Sequence, residues 1–173
     1  MTRSFLMVCL GIVVLAGGCA APVPQSKPRL LHKANVVPLA LDPAFSFRKT
    51  KLFLFDNSVK PTTSDVVNFE RERMHFRAVS GTEILAREGH YFDFWWRSAR
   101  PANVTVRLEY RQQNLGAYVQ AQEVEVPAAQ GTIETKFQVV GDSYHQEGKV
   151  IAWRALLIEN GKVVALTQSF LWN

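Results

Sequence analysis

The residues able to do chemistry are sparse: two cysteines, four histidines, a handful of paired acids and one run of aromatic side chains. Cys9 lies inside an apolar stretch, and Cys19 ends one, directly after Ala16, Gly17 and Gly18. A thiol behind side chains this small is open to a peptidase that must thread the backbone past its own active site. The chemistry on offer there is peptide-bond cleavage beside those small residues. His75, His90 and His145 occupy separate segments, and none has a second histidine at metal-ligand spacing. The sequence has neither HExxH nor a carboxylate-rich calcium loop. No metal site and no cofactor are predicted. With Cys9 and Cys19 both near the start, the body of the chain keeps no thiolate for a metal or a disulfide. His32, in a proline-rich stretch, reads as a solvated side chain.

The unusual stretch is His90 to Arg97, HYFDFWWR. On a strand, Phe92, Phe94 and Trp96 share one face, and Tyr91, Asp93, Trp95 and Arg97 share the other. If the first face fills a core, the second offers a tyrosine and a tryptophan with a carboxylate between them. Such faces bind sugars, proline-rich peptides or partner proteins. The bland alternative is that Asn35 to Ser46 or a long loop covers them. Glu70/Glu72 and Glu123/Glu125 are i,i+2 pairs that would share sheet faces, neutralised across strands by Arg107, Arg111 or Lys136. Arg71, Arg73 and Arg77 with His75 form a basic stripe if they lie on a strand. It reads as a solvated outer face, with contact to anionic lipid or wall polymer as the alternative.

Gly141-Asp142-Ser143-Tyr144 resembles the GDS block of a hydrolase family, in which the serine follows an early strand and precedes a helix. Here the block comes late in a strand-rich chain. Asp142, Ser143 and His145 are too close in sequence for the histidine to bridge the other two. The block reads as turn chemistry, no GxSxG elbow exists, and the chain is not expected to be an enzyme.

Arg3 and the twelve-residue apolar run Phe5 to Ala16 precede the small residues. The run is shorter than the ~20 residues a spanning helix needs. Leu15-Ala16-Gly17-Gly18-Cys19 resembles the lipobox of bacterial lipoproteins, with Ala16 where leucine is commonest. The resemblance covers the first twenty or so residues. It implies cleavage before Cys19 and acyl chains on its sulfur and freed amine. Ala20, which is not aspartate, implies an outer-membrane anchor facing the periplasm. A plain secretory signal cleaved near Ala20 or Ala21 is the alternative.

Pro22, Pro24 and Pro28 favour extended backbone from Ala20 to about Lys33, a tether reaching ~35–40 Å at ~3.1 Å per residue. Asn35 to Ser46 adds Val36, Val37, Leu39, Leu41 and Phe45 and is expected to lie along the domain. The net charge of +5 is mild and scattered. It suits an anionic surface and gives no case for nucleic acid.

Lys51 to Asn57 reads as a strand. Asp65 to Val79 fits either a helical stripe or an alternating strand, and a strand over about 69–79 is preferred, with Ser80-Gly81 turning the chain. Six strand-like runs follow: Tyr91–Arg97, Val104–Arg111, Tyr118–Val126, Thr132–Val140, Val150–Ile158 and Val163–Trp172. Turn residues separate them, and no helix is expected after Ser80. Asn160-Gly161 between apolar runs is a strong hairpin signal. Regular strand spacing predicts an all-β fold, an antiparallel sandwich of about seven or eight strands that looks immunoglobulin-like or fibronectin-III-like, with a small barrel as the alternative. Its last residues, Phe170 to Trp172, are expected to be structural.

The expected organisation is a signal over 1–18, a lipidated cysteine and proline-rich tether over 19–46, and a β-domain over 47–173. The expected function is a lipid-anchored, non-catalytic envelope module. Its partners would be the membrane through Cys19, an envelope protein, or a cell-wall glycan on the aromatic strand.

Overall fold

A computed structural model describes residues 23–31, 34–58, 62–75, 78 and 80–172. The signal stretch, Cys19, His32, Phe76, Arg77 and Val79 lie outside the described residues.

The elements in chain order are β1 (Arg29–Leu31), β2 (Phe45–Phe55), α1 (Asp65–His75), α2 (Gly81–Arg87), β3 (Gly89–Gln112), β4 (Gln120–Val140), α3 (Asp142–Glu147), β5 (Val150–Glu159) and β6 (Lys162–Gln168). The fold is all-β and antiparallel, one hydrogen-bonded sheet in the order β1-β4-β3-β5-β6, with β2 also on β3. Among the described residues six strands serve where seven or eight were expected, because β3 and β4 each run through two of the expected strands. β2 pairs with the first half of β3, from Gly89 to Ser98. β5 pairs with the second half, from Thr105 to Gln112. β4 follows β3 along both halves.

The stretches expected as turns, Ala99 to Asn103 and Pro127 to Gly131, instead bend this long hairpin. The β3–β4 register shifts on both sides of Ala102. Pro101 and Pro127 cannot donate to a ladder, and Ala128 and Gly131 take positive φ of 49° and 78°. Extra residues in one strand of a pair bend it and increase its twist. The result is a sheet folded on itself. Phe94 and Trp153 lie 5.5 Å apart between ring centroids, yet Trp153 pairs with Tyr110. Along a flat strand those sixteen residues would separate the rings by about 50 Å.

The inward faces therefore share one core, which includes Phe92, Phe94 and Trp96 with Val106, Leu108, Val124, Phe137 and Leu157. Each fully buried side chain of this kind contributes about 1.5–3 kcal/mol. Trp96 also donates its indole N–H to Thr135 Oγ1 at 3.0 Å, so its one polar atom is satisfied. The closing hairpin forms as its sequence predicts: Asn160 and Gly161 both take positive φ, 49° and 71°, as a type I′ turn demands.

Several expectations are corrected. The strand preferred over 69–79 is a helix through His75, and its stripe faces solvent: Val66 is 71% and Phe69 63% exposed. It is held by Glu70, which pairs with Arg73 at 2.8 Å one turn on and with Lys51 of β2. Glu70 and Glu72 thus share no sheet face, and of the expected basic stripe the two arginines whose side chains are described have separate partners: Arg71 donates to the Asp56 carbonyl while Arg73 binds Glu70. Two helices also follow Ser80. Ser80 and Glu83 make a reciprocal capping box, Glu83 N–H to Ser80 Oγ at 3.2 Å and Ser80 N–H to Glu83 Oε2 at 3.3 Å. The Gly-Asp-Ser block starts α3, where Ser143 donates to Glu147 at 2.9 Å.

The tether is corrected over its described part. Ser26 N–H donates to the Glu125 carbonyl at 2.9 Å, Gln25 bonds Glu134 and Thr135, and β1 extends the sheet beside β4. Asn35 to Ser46 lies along the domain as expected, with Leu39 bridged to Val163 and Val37 packed on Leu156, Ile158 and Val163. Trp172 is buried at 7% exposure, whereas Phe170 and Leu171 are 91% and 65% exposed, so only the tryptophan of that trio is a core residue.

Candidate binding face

The aromatic strand places its side chains as the alternation requires. Phe92, Phe94 and Trp96 are buried, Tyr91, Asp93 and Trp95 are half-buried on the opposite face, and Arg97 is exposed. Register builds this outer face in rows across β2, β3 and β4: Phe53–Tyr91–Gln138, then Lys51–Asp93–Lys136, then Lys49–Trp95–Glu134. Arg97 follows beside Ser46 and Thr132.

Helix α1 and Pro28 rise over the first two rows and leave a cleft of about 390 Å³, at the small end for molecular sites of ~300–1,000 Å³. Its apolar seat is the Phe53 and Tyr91 rings, 6.4 Å apart, and Lys51, Glu70, Arg73, Asp93 and Lys136 line the rest. The cover is thus the 65–75 helix, not the Asn35–Ser46 segment. Glu70 and Arg73 join the face because residues 65–75 are a helix where a strand was expected, and Lys51 joins it through the β2–β3 register, which sequence pattern alone does not show. The i,i+3 Glu70/Arg73 spacing was the available signal.

The charges in the cleft are already paired. Lys136 lies 3.0 Å from Glu134 and 3.7 Å from Asp93. Its hydrogen bond to Glu134 holds the ammonium above its ordinary pKa. Burial lifts the Asp93 carboxyl above the usual range, and Lys136 pulls it back. The hydrogen bond from Lys51 keeps Glu70 below its usual range. The Tyr91 hydroxyl donates to the Arg87 carbonyl at 2.6 Å, and burial raises its pKa. Lys49 Nζ sits 4.9 Å from the Trp95 ring centroid, a cation–π contact that caps the ring. The arrangement can seat an apolar side chain among fixed charges. Its donors and acceptors are committed to one another, and no nucleophile is poised beside a base.

The other candidates are scattered. His145 Nε2 lies 3.1 Å from the Leu85 carbonyl and 3.4 Å from Glu88, while Ser143 engages Glu147 and Gln112, so serine and histidine keep different partners. His90 faces inward, its Nε2 buried without a hydrogen-bond partner. Glu123 is neutralised by Arg107 at 2.7 Å, the cross-strand pairing the sequence allowed. Among the described residues no group of three or more His, Cys, Asp or Glu could hold a metal, and no helix is long and apolar enough to cross a membrane.

No protein-family model matches the chain, and no solved structure does. Among curated proteins it is similar to the minor capsid protein L2 of human papillomavirus type 10, at 29% identity over 150 residues, 71% of this chain and 31% of that protein. The chain thus spans less than a third of that protein's length, and the likeness places it in no family.

Proposed function

We propose that the chain is a lipid-anchored, non-catalytic cell-envelope protein that serves as an accessory or protein-interaction module. The observation that carries this reading is the apolar run of Phe5 to Ala16 ending in Gly17-Gly18-Cys19. Acyl chains on Cys19 would hold it at the membrane, with the outer membrane and its periplasmic face the preferred address. Each buried methylene contributes ~0.8 kcal/mol, so one chain anchors reversibly and two or more anchor stably. Anchoring raises the local concentration of the domain near envelope partners, so a modest face suffices.

The Phe53–Tyr91 seat and its rim are such a face: small, apolar at the centre and ringed by charge. The wall-glycan alternative needs a bare aromatic ring for a sugar to stack on. Lys49 lies over Trp95, and for that reason a protein contact is preferred.

Cys19→Ser is expected to move the protein from the membrane fraction to the soluble fraction, and mass spectrometry of the wild-type N-terminus should find an acylated Cys19. Persistence of the variant in membranes, or an unmodified thiol, would reject the anchor. In a pull-down with purified wall material, no Trp95-dependent retention is expected. Binding lost on Trp95→Ala would transfer the face to glycan.

A further inference from the structure

On the far side of β3 from the binding face, the folded sheet does not close. Among the described residues β2 pairs only with β3, and between it, the start of β5 and the C-terminal turn runs a groove of about 480 Å³. The volume falls within the ~300–1,000 Å³ of small-molecule sites. Leu52 and Ile151, 50% and 45% exposed, stand at its rim with Phe170 and Leu171. Its floor reaches the core at Phe92, which is 1% exposed, and at Trp153.

We propose that this groove binds an unbranched acyl chain, the tail along Leu52, Ile151 and Trp153 and the carboxyl head at His90.

Three observations select that ligand. The walls are almost wholly aliphatic and aromatic, from the exposed rim at Leu52 and Ile151 to Trp153 and the floor at Phe92. Two polar side chains interrupt them: Ser169, whose Oγ already accepts from Trp153 N–H at 3.0 Å, and His90, whose Nε2 is buried with no hydrogen-bond partner. A buried nitrogen left unpaired is unfavourable until something supplies a partner, and the oxygen of a head group does so. Burial, with Lys149 adding to it, holds the imidazole down to about 4, so at neutral pH it offers a hydrogen bond and not a charge. The nearby cation is Lys149, 49% exposed and 3.6 Å from Asp56, which favours an acid head over an amine.

A polypeptide strand added to β2 is the other conceivable occupant, and the edge resists it. The register slips at Arg48 between Phe47 and Lys49, and Lys49 and Lys51 follow. Bulges and cations are how sheet edges turn away added strands. A strand on that edge would also leave the floor at Phe92 unfilled.

The test is photolabelling with a diazirine-bearing fatty acid. It is applied to the full chain in whichever fraction, membrane or soluble, carries it, so the outcome does not depend on the anchor. Labelled positions are mapped by peptide mass spectrometry. Labelling is expected at residues 150–153 and 169–171 and should be competed away by excess laurate. Ile151→Glu places a charge at an already exposed site in the mouth and should cut competable labelling about tenfold. Leu166→Glu, equally exposed but outside the groove, should not. His90→Phe keeps the apolar floor and removes the anchor, and should cost about fivefold. Circular dichroism confirms that each variant is folded. Labelling that laurate does not compete, or that survives Ile151→Glu unchanged, overturns the proposal. So does cross-linking that finds a protein strand along Thr50 to Phe55.

Discussion

His90 shows how one buried atom couples burial to pH. Its pKa falls from the ordinary 6.5 to about 4, chiefly through burial and secondarily through Lys149. The unfolded chain therefore binds a proton that the folded chain refuses. Stability from this residue is full above about 6.5 and is lost as pH drops through the window to about 4, a change of about 2 kcal/mol once its partial exposure is discounted. Thermal melts of wild type should fall between pH 7 and pH 5, and His90→Phe should flatten that part of the profile. The chain end makes a different point. Trp172 is buried, with Arg111 and Arg154 at 4.8 Å and 5.0 Å from its ring, and Trp172→Ala should cost about 3–5 kcal/mol in urea unfolding. Phe170→Ser, at a site 91% exposed, should stay within about 0.5 kcal/mol of wild type. The sequence treated these neighbours alike, because hydrophobicity says what is apolar and not which way a short terminal turn points it.

At the scale of elements, alternation was the dependable signal and separation into strands was not. The even-numbered inward face of β3 was legible from Phe92 to Trp96 and again from Val104 to Tyr110. That both belong to one strand was not, since Pro101 and Asn103 look the same whether the chain turns or bends. Asn103 in fact holds the bend, accepting from Ala128 N–H at 2.9 Å. The helices were missed for separate reasons. Ser80-x-x-Glu83 is an N-terminal signature in plain view, obscured by the short helix behind it. Removing the cap with Ser80→Ala should lower stability by about 1 kcal/mol, measured by chemical denaturation. For α1 both periodicities were present and the strand was preferred; the segment is a helix through His75, with Glu70 paired to Lys51 of β2, a partner far away in sequence.

At the scale of the whole molecule, the N-terminal segment is part of the fold. Val23 to Leu31 runs along β4, so an anchor at Cys19 would hold the domain close to the lipid surface and not at the far end of a spacer. Prolines set that segment's extended shape, and the sequence reads the same for a free tether and for an edge strand. The difference lies in whether a sheet edge waits to receive it. Farther on, Asn35 offers its carbonyl to Arg107 at 2.8 Å, satisfying a guanidinium buried against Glu109 and Glu123. The same covering chain thus closes over a charge cluster that would be costly left open.

The sequence by itself determined what depends on neighbours along the chain: the all-β class through period-two alternation, the Asn160-Gly161 hairpin through its φ demands, and the two-faced character of residues 91–97. Tertiary structure decided what depends on residues far apart: the single sheet bent on itself, the α1 wall over Tyr91 and Asp93, the docked N-terminal edge and the open seam at His90. Local rules fix a residue's conformation and its face. Which surface meets that face is settled only when the long hairpin folds and brings Phe94 to Trp153.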